Sequence, residues 1–288
     1  MKVLVLGSDS SIGHDLCELM LSQETINCVV LTKDDAELAG EAVLRHKPDF
    51  VVNCYTSGLA YIGAVDADHV LWAEKLALTV GTVGAALVHI SSSQIFTGIK
   101  ATPYLETDEI NPTSDIGSRL YQIEKIIQQS SDRTFVLRSG WVFGSRQGGF
   151  LDRLLAHVES GNEIRLQSNL DGAPTPSEDL ARVINTVVWQ LYYGADCWGV
   201  YHYSGSEITT TMGFTDTLIA LASQYGEVDL DGVQLIEVND LAAPDTSKYP
   251  LLDCEKILEA FGVKQRTWRS ALTAAIKKRY QNHSDSAV

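Results

Sequence analysis

The chain has 288 residues, 45% hydrophobic and 20% charged, with 37 Asp and Glu against 22 Lys and Arg, for a formal net charge of −15. That length supports a large buried core, built as one big domain or as a large and a small one. The acidic balance repels phosphate backbones and anionic membranes, which argues against a nucleic-acid partner, and no apolar run reaches membrane-spanning length.

In chain order, Met1-Lys2 leads straight into the apolar run Lys2–Leu6, too short for a signal-peptide core, so it reads as a first strand. A turn at Gly7–Ser11 opens an amphipathic segment through Leu21. Asn27–Leu31 is predicted as a strand, Ala36–His46 as a helix, and Asp49–Asn53, behind Pro48, as a third strand. Val65–Val83 has helical spacing and Ala86–Ser91 is the fourth strand. Asp115–Gln129 is the next helix and Thr134–Arg138 the fifth strand. Continuous apolar strands separated by helices indicate an α/β fold with a doubly wound, parallel, Rossmann-like sheet covered on both faces.

After Gly144 the regularity changes. Helices are expected at Phe150–Val158, Ser177–Leu191, Thr211–Gln224, Asp253–Ala260 and Thr267–Lys278, with strands at Ile164–Leu166, Val200–Tyr203 and Val233–Glu237. This gives residues 1–144 as a dinucleotide-binding domain and 145–288 as a smaller mixed C-terminal substrate-binding lobe. Residues 177–204 are the part of that lobe able to return to the main sheet. Five scattered cysteines without a C-x-x-C pair or a His cluster argue against zinc and a disulfide framework, and suit a reducing cytoplasm.

Gly7-Ser8-Asp9-Ser10-Ser11-Ile12-Gly13 follows the first strand and opens the first helix. Glycines there allow a tight turn, close approach of a pyrophosphate and close helix–strand packing. Amides at the helix N-terminus then face the phosphates. Gly7, Ser10, Ser11, Ile12 and Gly13 are therefore candidate coenzyme residues. Ser10 occupies the middle position of a G-x-x-G-x-x-G spacing, where it reads equally as a helix N-cap. After the second strand, Thr32-Lys33 lacks the acid that grips a ribose 2′-hydroxyl. Lys33 suits a 2′-phosphate, favouring NADP over NAD, which stays possible; a solvated loop lysine is the competing reading.

His89-Ile90-Ser91-Ser92-Ser93-Gln94-Ile95-Phe96-Thr97-Gly98 reads as a buried strand ending in a cluster of hydroxyls, at the sheet edge where ligands bind. With Pro48–Asn53, Tyr104–Asp108 and Pro112, Leu137–Gly144, Asp171–Thr175, Asp179–Ala181 and Val200–His202 in the same order, the chain resembles the dTDP-4-dehydrorhamnose reductase family of extended short-chain dehydrogenases. The resemblance implies hydride transfer from a nicotinamide to the 4-keto group of a nucleotide-linked sugar. It implies a Ser or Thr after the fourth strand that orients the ketone, a tyrosine that donates the proton, and a lysine four residues on. It also places Tyr55 and Thr56 on the coenzyme cleft, and Ser93, Gln94, Trp141, Asp171 and Thr175 toward the substrate.

Ser92 fits the hydroxyl position. Counted without gaps from Pro112 and from Arg138, the tyrosine position falls on Ile116, the lysine position on Leu120 and the family's helix glutamate on Glu124. Neither Ile116 nor Leu120 can move a proton. Tyr121 and Lys125 form a spare Tyr-x-x-x-Lys, five residues late, which rotates the pair by about 140° about the helix axis. Ser92, Tyr121 and Lys125 are thus the catalytic candidates, with a surface role for the last two as the alternative. Trp72 stands where the resemblance implies an asparagine. Arg138 suits either a diphosphate or an acidic neighbour such as Glu124, and His89 and His202 read as structural histidines. Two functions stay open. One is a reductase of a keto-sugar nucleotide with an altered catalytic set. The other is a non-catalytic binding or regulatory subunit, as in methionine adenosyltransferase, working as a homodimer or with a partner protein.

Overall fold

The computed structural model describes residues 1–61, 63–146, 149–161, 164–166, 171–226, 235–237 and 250–285. In chain order the elements are β1 (Lys2–Leu6), α1 (Ser11–Leu21), β2 (Asn27–Leu31), a 3-10 turn (Lys33–Leu38), α2 (Ala39–His46), β3 (Phe50–Asn53), α3 (Tyr55–Tyr61) and α4 (Ala67–Val83). There follow β4 (Ala86–Ser92), a 3-10 turn (Ser93–Ile95), α5 (Asp115–Ser130), β5 (Thr134–Ser139), β6 (Val142–Phe143), α6 (Phe150–Glu159), β7 (Ile164–Leu166), β8 (Asp171–Gly172) and β9 (Thr175–Pro176). The chain continues through α7 (Ser177–Tyr192), β10 (Gly199–His202), β11 (Thr209–Thr210), α8 (Thr211–Tyr225), β12 (Leu235–Glu237), α9 (Glu255–Phe261) and α10 (Trp268–Asp285).

Six strands form one parallel sheet in the order β10-β5-β4-β3-β1-β2. The apolar side chains of β1, β3, β4 and β5 are buried on both faces, as helix-covered central strands require, while the edge strand β2 leaves Val30 exposed. The order reverses between β1 and β3, so the carboxyl ends of those strands frame the crevice in which such sheets bind ligands. Strands β11 and β8, β12 and β7, and β6 and β9 make three separate two-stranded pairs.

Residues 177–204 do return to the main sheet: β10 pairs with β5, and α7 packs on α1. The main core also takes Leu252, Ile257, Phe261 and Val263 from the far end of the chain. A second core gathers Trp141, Phe143, Leu155, Phe214, Trp268 and Ile276 from β6, α6, α8 and α10 and their flanks.

One expectation needs correcting. The helix predicted over Ala36–His46 is broken. Asp35 accepts the Thr32 hydroxyl at 2.8 Å and its amide at 3.3 Å, which opens a tight 3-10 turn before α2 begins at Ala39. Tyr55 and Thr56, named only as cleft residues in the sequence, open the short helix α3. The strand predicted from Val233 lies partly outside the described residues, with Leu235–Glu237 in β12.

Candidate functional site

The β1–α1 loop folds against the start of α3. Gly7 has φ +74°, and a Cβ there would stand 2.6 Å from the Tyr55 Cα. A Cβ on Gly13 would stand 2.1 Å from the Gly7 carbonyl oxygen. Both glycines are demanded by backbone proximity. Ser10 caps α1: its Oγ accepts the Gly13 amide at 3.0 Å and donates to the Gly7 carbonyl at 2.8 Å. The hydroxyl proton is therefore spent inside the loop. Ile12 turns its side chain into the core, leaving its amide as the group available to a ligand. A Cβ on Gly144, past the end of β6, would lie 3.4 Å from that of Ser11.

At the end of β2 the Lys33 side chain is exposed, and its amide donates to Asp9 Oδ1 at 2.7 Å. The first loop thus brings a carboxylate to the end of β2. Motif spacing in the sequence does not point to Asp9, because it belongs to the β1–α1 turn, 24 residues before Lys33. Tyr55 is half-buried between Trp72, at 4.9 Å between ring centroids, and His69 at 5.6 Å. Burial raises the Tyr55 phenol above its usual range, and the carboxylates of Asp66, Asp9, Asp34 and Glu37 add to that shift. Trp72 is anchored by its indole N–H, which donates to the Ala36 carbonyl at 2.7 Å. Thr56 is fully buried, and its Oγ1 meets no partner among the described residues.

Asn53 fixes the state of His89. Its Oδ1 accepts the Tyr55 amide at 3.0 Å, so its Nδ2 faces His89 Nδ1 at 3.2 Å and donates to it. The imidazole proton therefore sits on Nε2, and burial holds the pKa of His89 down to about 3. It is a neutral structural histidine.

One residue past Ile90, Ser91 donates to Glu124 Oε2 at 2.8 Å. Arg138 donates from Nε to both Glu124 oxygens at 3.1 Å and also through Nη2, while Gln128 adds a bond at 2.9 Å. The pair is buried and fully hydrogen-bonded, which offsets the desolvation of its charges. Arg138 Nη1 donates to His202 Nε2 at 3.3 Å, and His202 Nδ1 donates to the Tyr104 carbonyl at 3.0 Å. Burial first, then the Arg138 charge, holds His202 down to about 3. Arg138 thus takes the second of its two expected roles, pairing with Glu124.

Ser92 Oγ accepts the Gln94 amide at 3.2 Å and so caps the turn that follows β4. Ser93 is buried with its Oγ unpartnered among the described residues, above Gly140, where a Cβ would come within 2.3 Å of that oxygen.

Two contacts fix how α5 is rotated. A Cβ on Gly117 would stand 2.4 Å from the Gln94 carbonyl, and Glu124, two turns on, holds Ser91. Leu120, between them, is 0% exposed. Ile116 is half-buried, with its Cδ1 3.8 Å from where a Cβ on Gly63 would sit. Tyr121 and Lys125 lie with each other, the ammonium 5.4 Å from the ring centroid, and no described residue hydrogen-bonds to either side chain. The helix presents Leu120, not Tyr121, between its two anchors.

Trp141 has φ +44° and is buried against Phe214, at 5.3 Å between ring centroids, in the second core. Thr175 is a stitch. Its Oγ1 accepts the Gly205 amide at 3.0 Å and lies within donating distance of the Ala173 and Gly140 carbonyls. Asp171 is exposed in β8.

A parallel sheet whose glycine turn sits at the strand-order reversal, with a second core past the carboxyl end of β5, defines an extended short-chain dehydrogenase/reductase fold. Residues 1–281 match the family described as the RmlD substrate binding domain, and the chain belongs to this family of dTDP-4-dehydrorhamnose reductases. The dTDP-4-dehydrorhamnose reductase of Burkholderia thailandensis is 28% identical, over 96% of this chain and 98% of that one. The dTDP-4-dehydrorhamnose reductase of Bacillus anthracis, solved in complex with NADP, is 20% identical, with a TM-score of 0.80 over 98% of this chain and 99% of that one. Bordetella bronchiseptica WbmH, solved in complex with NAD+, is 17% identical, with a TM-score of 0.76 over 96% of this chain and 98% of that one.

Proposed function

We propose that the chain binds a nicotinamide dinucleotide, and a nucleotide sugar or related ketone beside it, at the carboxyl edge of the sheet, with a catalytic set that has lost its usual proton donor. The cradle fits the coenzyme. Gly7 and Gly13 let the β1–α1 loop close tightly on Tyr55 and on itself, and the amides opening α1 suit a pyrophosphate. Tyr55 and Thr56 border the crevice, and Lys33 or Asp9 meets the adenosine ribose. When bound, the reduced coenzyme supplies hydride.

Ser92, at the end of β4, orients a ketone oxygen, with Ser93 and Gln94 on the substrate side. The observation that carries the reading is Leu120: fully buried, and held in line by the Gly117 and Glu124 contacts on either side. In that register neither Leu120 nor Ile116 gives up a proton, so ketone reduction falls far below what a tyrosine–lysine pair sustains. The same replacement favours a second reading, in which the liganded cleft serves recognition of a partner protein or a second copy rather than turnover.

The test is a fluorescence titration with NADPH and NADH, followed by coenzyme oxidation over a panel of 4-keto nucleotide sugars. Binding without turnover is expected. Ordinary turnover abolished by Tyr121→Phe would overturn the proposed register, and no binding of either coenzyme at millimolar concentration would overturn the coenzyme reading.

A further inference from the structure

We infer that Asp9 sets the coenzyme choice of this cleft: its carboxylate, carried to the end of β2 by the first loop, accepts the 2′-hydroxyl of an adenosine ribose and repels a 2′-phosphate, so that NADH binds more tightly than NADPH. This rests on the coenzyme reading above. A dinucleotide whose pyrophosphate lies on the start of α1 lays its adenosine ribose across the end of the strand beside β1. That strand is β2, which ends at Leu31 and is followed by Thr32 and Lys33, none of them acidic.

The loop supplies the acid through backbone bonds. The Gly7 and Ser8 amides both donate to the Leu31 carbonyl, at 2.9 and 3.0 Å, and draw the turn across the last residue of β2. Asp9 comes next, and its Oδ1 is held by the Lys33 amide at 2.7 Å. No described residue bonds the other carboxylate oxygen, which is left to accept a hydroxyl. A phosphate reaching the same place brings two negative charges toward this one, with Asp34 and Glu37 exposed nearby. The Lys33 ammonium, on an exposed stem, offers a weaker counterweight than a carboxylate held at its position. Two charges against one at roughly 5–6 Å, in a water-like dielectric, amount to about tenfold in affinity.

The experiment compares dissociation constants for NADH and NADPH by fluorescence titration in the wild-type protein, Asp9→Ser and Asp9→Asn. Asp9→Asn keeps an acceptor for the Lys33 amide while removing the charge, so it guards against a merely disordered loop. Expected are tighter NADH binding in the wild type and a shift of the NADPH-to-NADH preference by about tenfold toward NADPH in both variants. A ratio unmoved in both variants, or tighter NADPH binding by the wild type, overturns this inference and leaves the coenzyme reading standing. Failure of both coenzymes to bind any of the three proteins overturns the coenzyme reading and this inference together.

Discussion

Glu124 on α5 accepts the Ser91 hydroxyl of β4 at 2.8 Å, and together with the close approach of Gly117 to the Gln94 carbonyl this bond fixes which helix residues face the edge of the sheet. Because Glu124 also carries the buried Arg138, the contact is costly to break. Glu124→Ala leaves a guanidinium buried without its carboxylate and is expected to destabilise the fold by about 3–5 kcal/mol. Glu124→Gln keeps the shape and part of the hydrogen bonding, so its loss should be smaller. Chemical denaturation midpoints, read with a common slope, check both.

With the helix so fixed, restoring the missing pair becomes a direct test. Ile116→Tyr combined with Leu120→Lys places a phenol and an ammonium one turn apart on one helix face, where the charge favours the phenolate. If the cleft binds a 4-keto nucleotide sugar, the double variant should reduce it about a hundredfold faster than the wild type. Leu120→Lys alone buries an unpaired charge and should cost at least about 2 kcal/mol of stability. Coenzyme oxidation rates and thermal melts measure the two effects, and Tyr121→Phe should leave both unchanged.

The α/β architecture was legible because β1, β3, β4 and β5 are short apolar runs, each bounded by a turn. The reading of α5 rests on Gly117 and Glu124, which in the fold touch the Gln94 carbonyl and the Ser91 hydroxyl. What escaped are contacts between residues far apart in sequence. Asp9 reaches the end of β2 only because the loop is drawn across Leu31, and no local pattern encodes that. Trp141, whose motif position puts it near the pocket mouth and whose size also suits core packing, has its ring in the second core against Phe214. Thr175 reads as a sugar-side residue by motif, while its hydroxyl is engaged with Gly205 and its neighbours.

Two buried histidines make stability depend on pH in a stated direction. His89 and His202 are both held near 3 in the folded chain, against 6.5 when unfolded. Above pH 6.5 both states are neutral at these positions and the contribution is fully present. As pH falls from 6.5 toward 3 the unfolded chain takes up protons that the folded chain refuses. Each histidine then withdraws up to about 1.4 kcal/mol per pH unit. Denaturation at pH 7, 6, 5 and 4 should show the loss begin below 6.5. Asp15, whose carboxyl is raised by burial, works in the opposite sense and blunts the slope. A variant with His89→Gln keeps a hydrogen-bonding side chain, and should flatten the dependence by about one histidine's share.

The phosphate turn separates a glycine that is indispensable from a serine that is not. Gly7→Ala forces a side chain into the left-handed region, and directly against the Tyr55 backbone, 2.6 Å away. Neither Cα can retreat without moving the start of α3, so the variant should lose about 2 kcal/mol or more of stability and bind no coenzyme. Ser10→Gly behaves differently. It removes the Oγ that caps Gly13 and bonds the Gly7 carbonyl, but glycine is itself a tolerated cap, so the helix should lose only a few tenths of a kcal/mol, about the range of thermal error. The same change clears the middle position of the turn for a pyrophosphate. Coenzyme titration should therefore show Ser10→Gly binding as tightly as the wild type or more so, while Gly7→Ala fails. Weaker binding by Ser10→Gly would mean that the serine contributes to holding the phosphates.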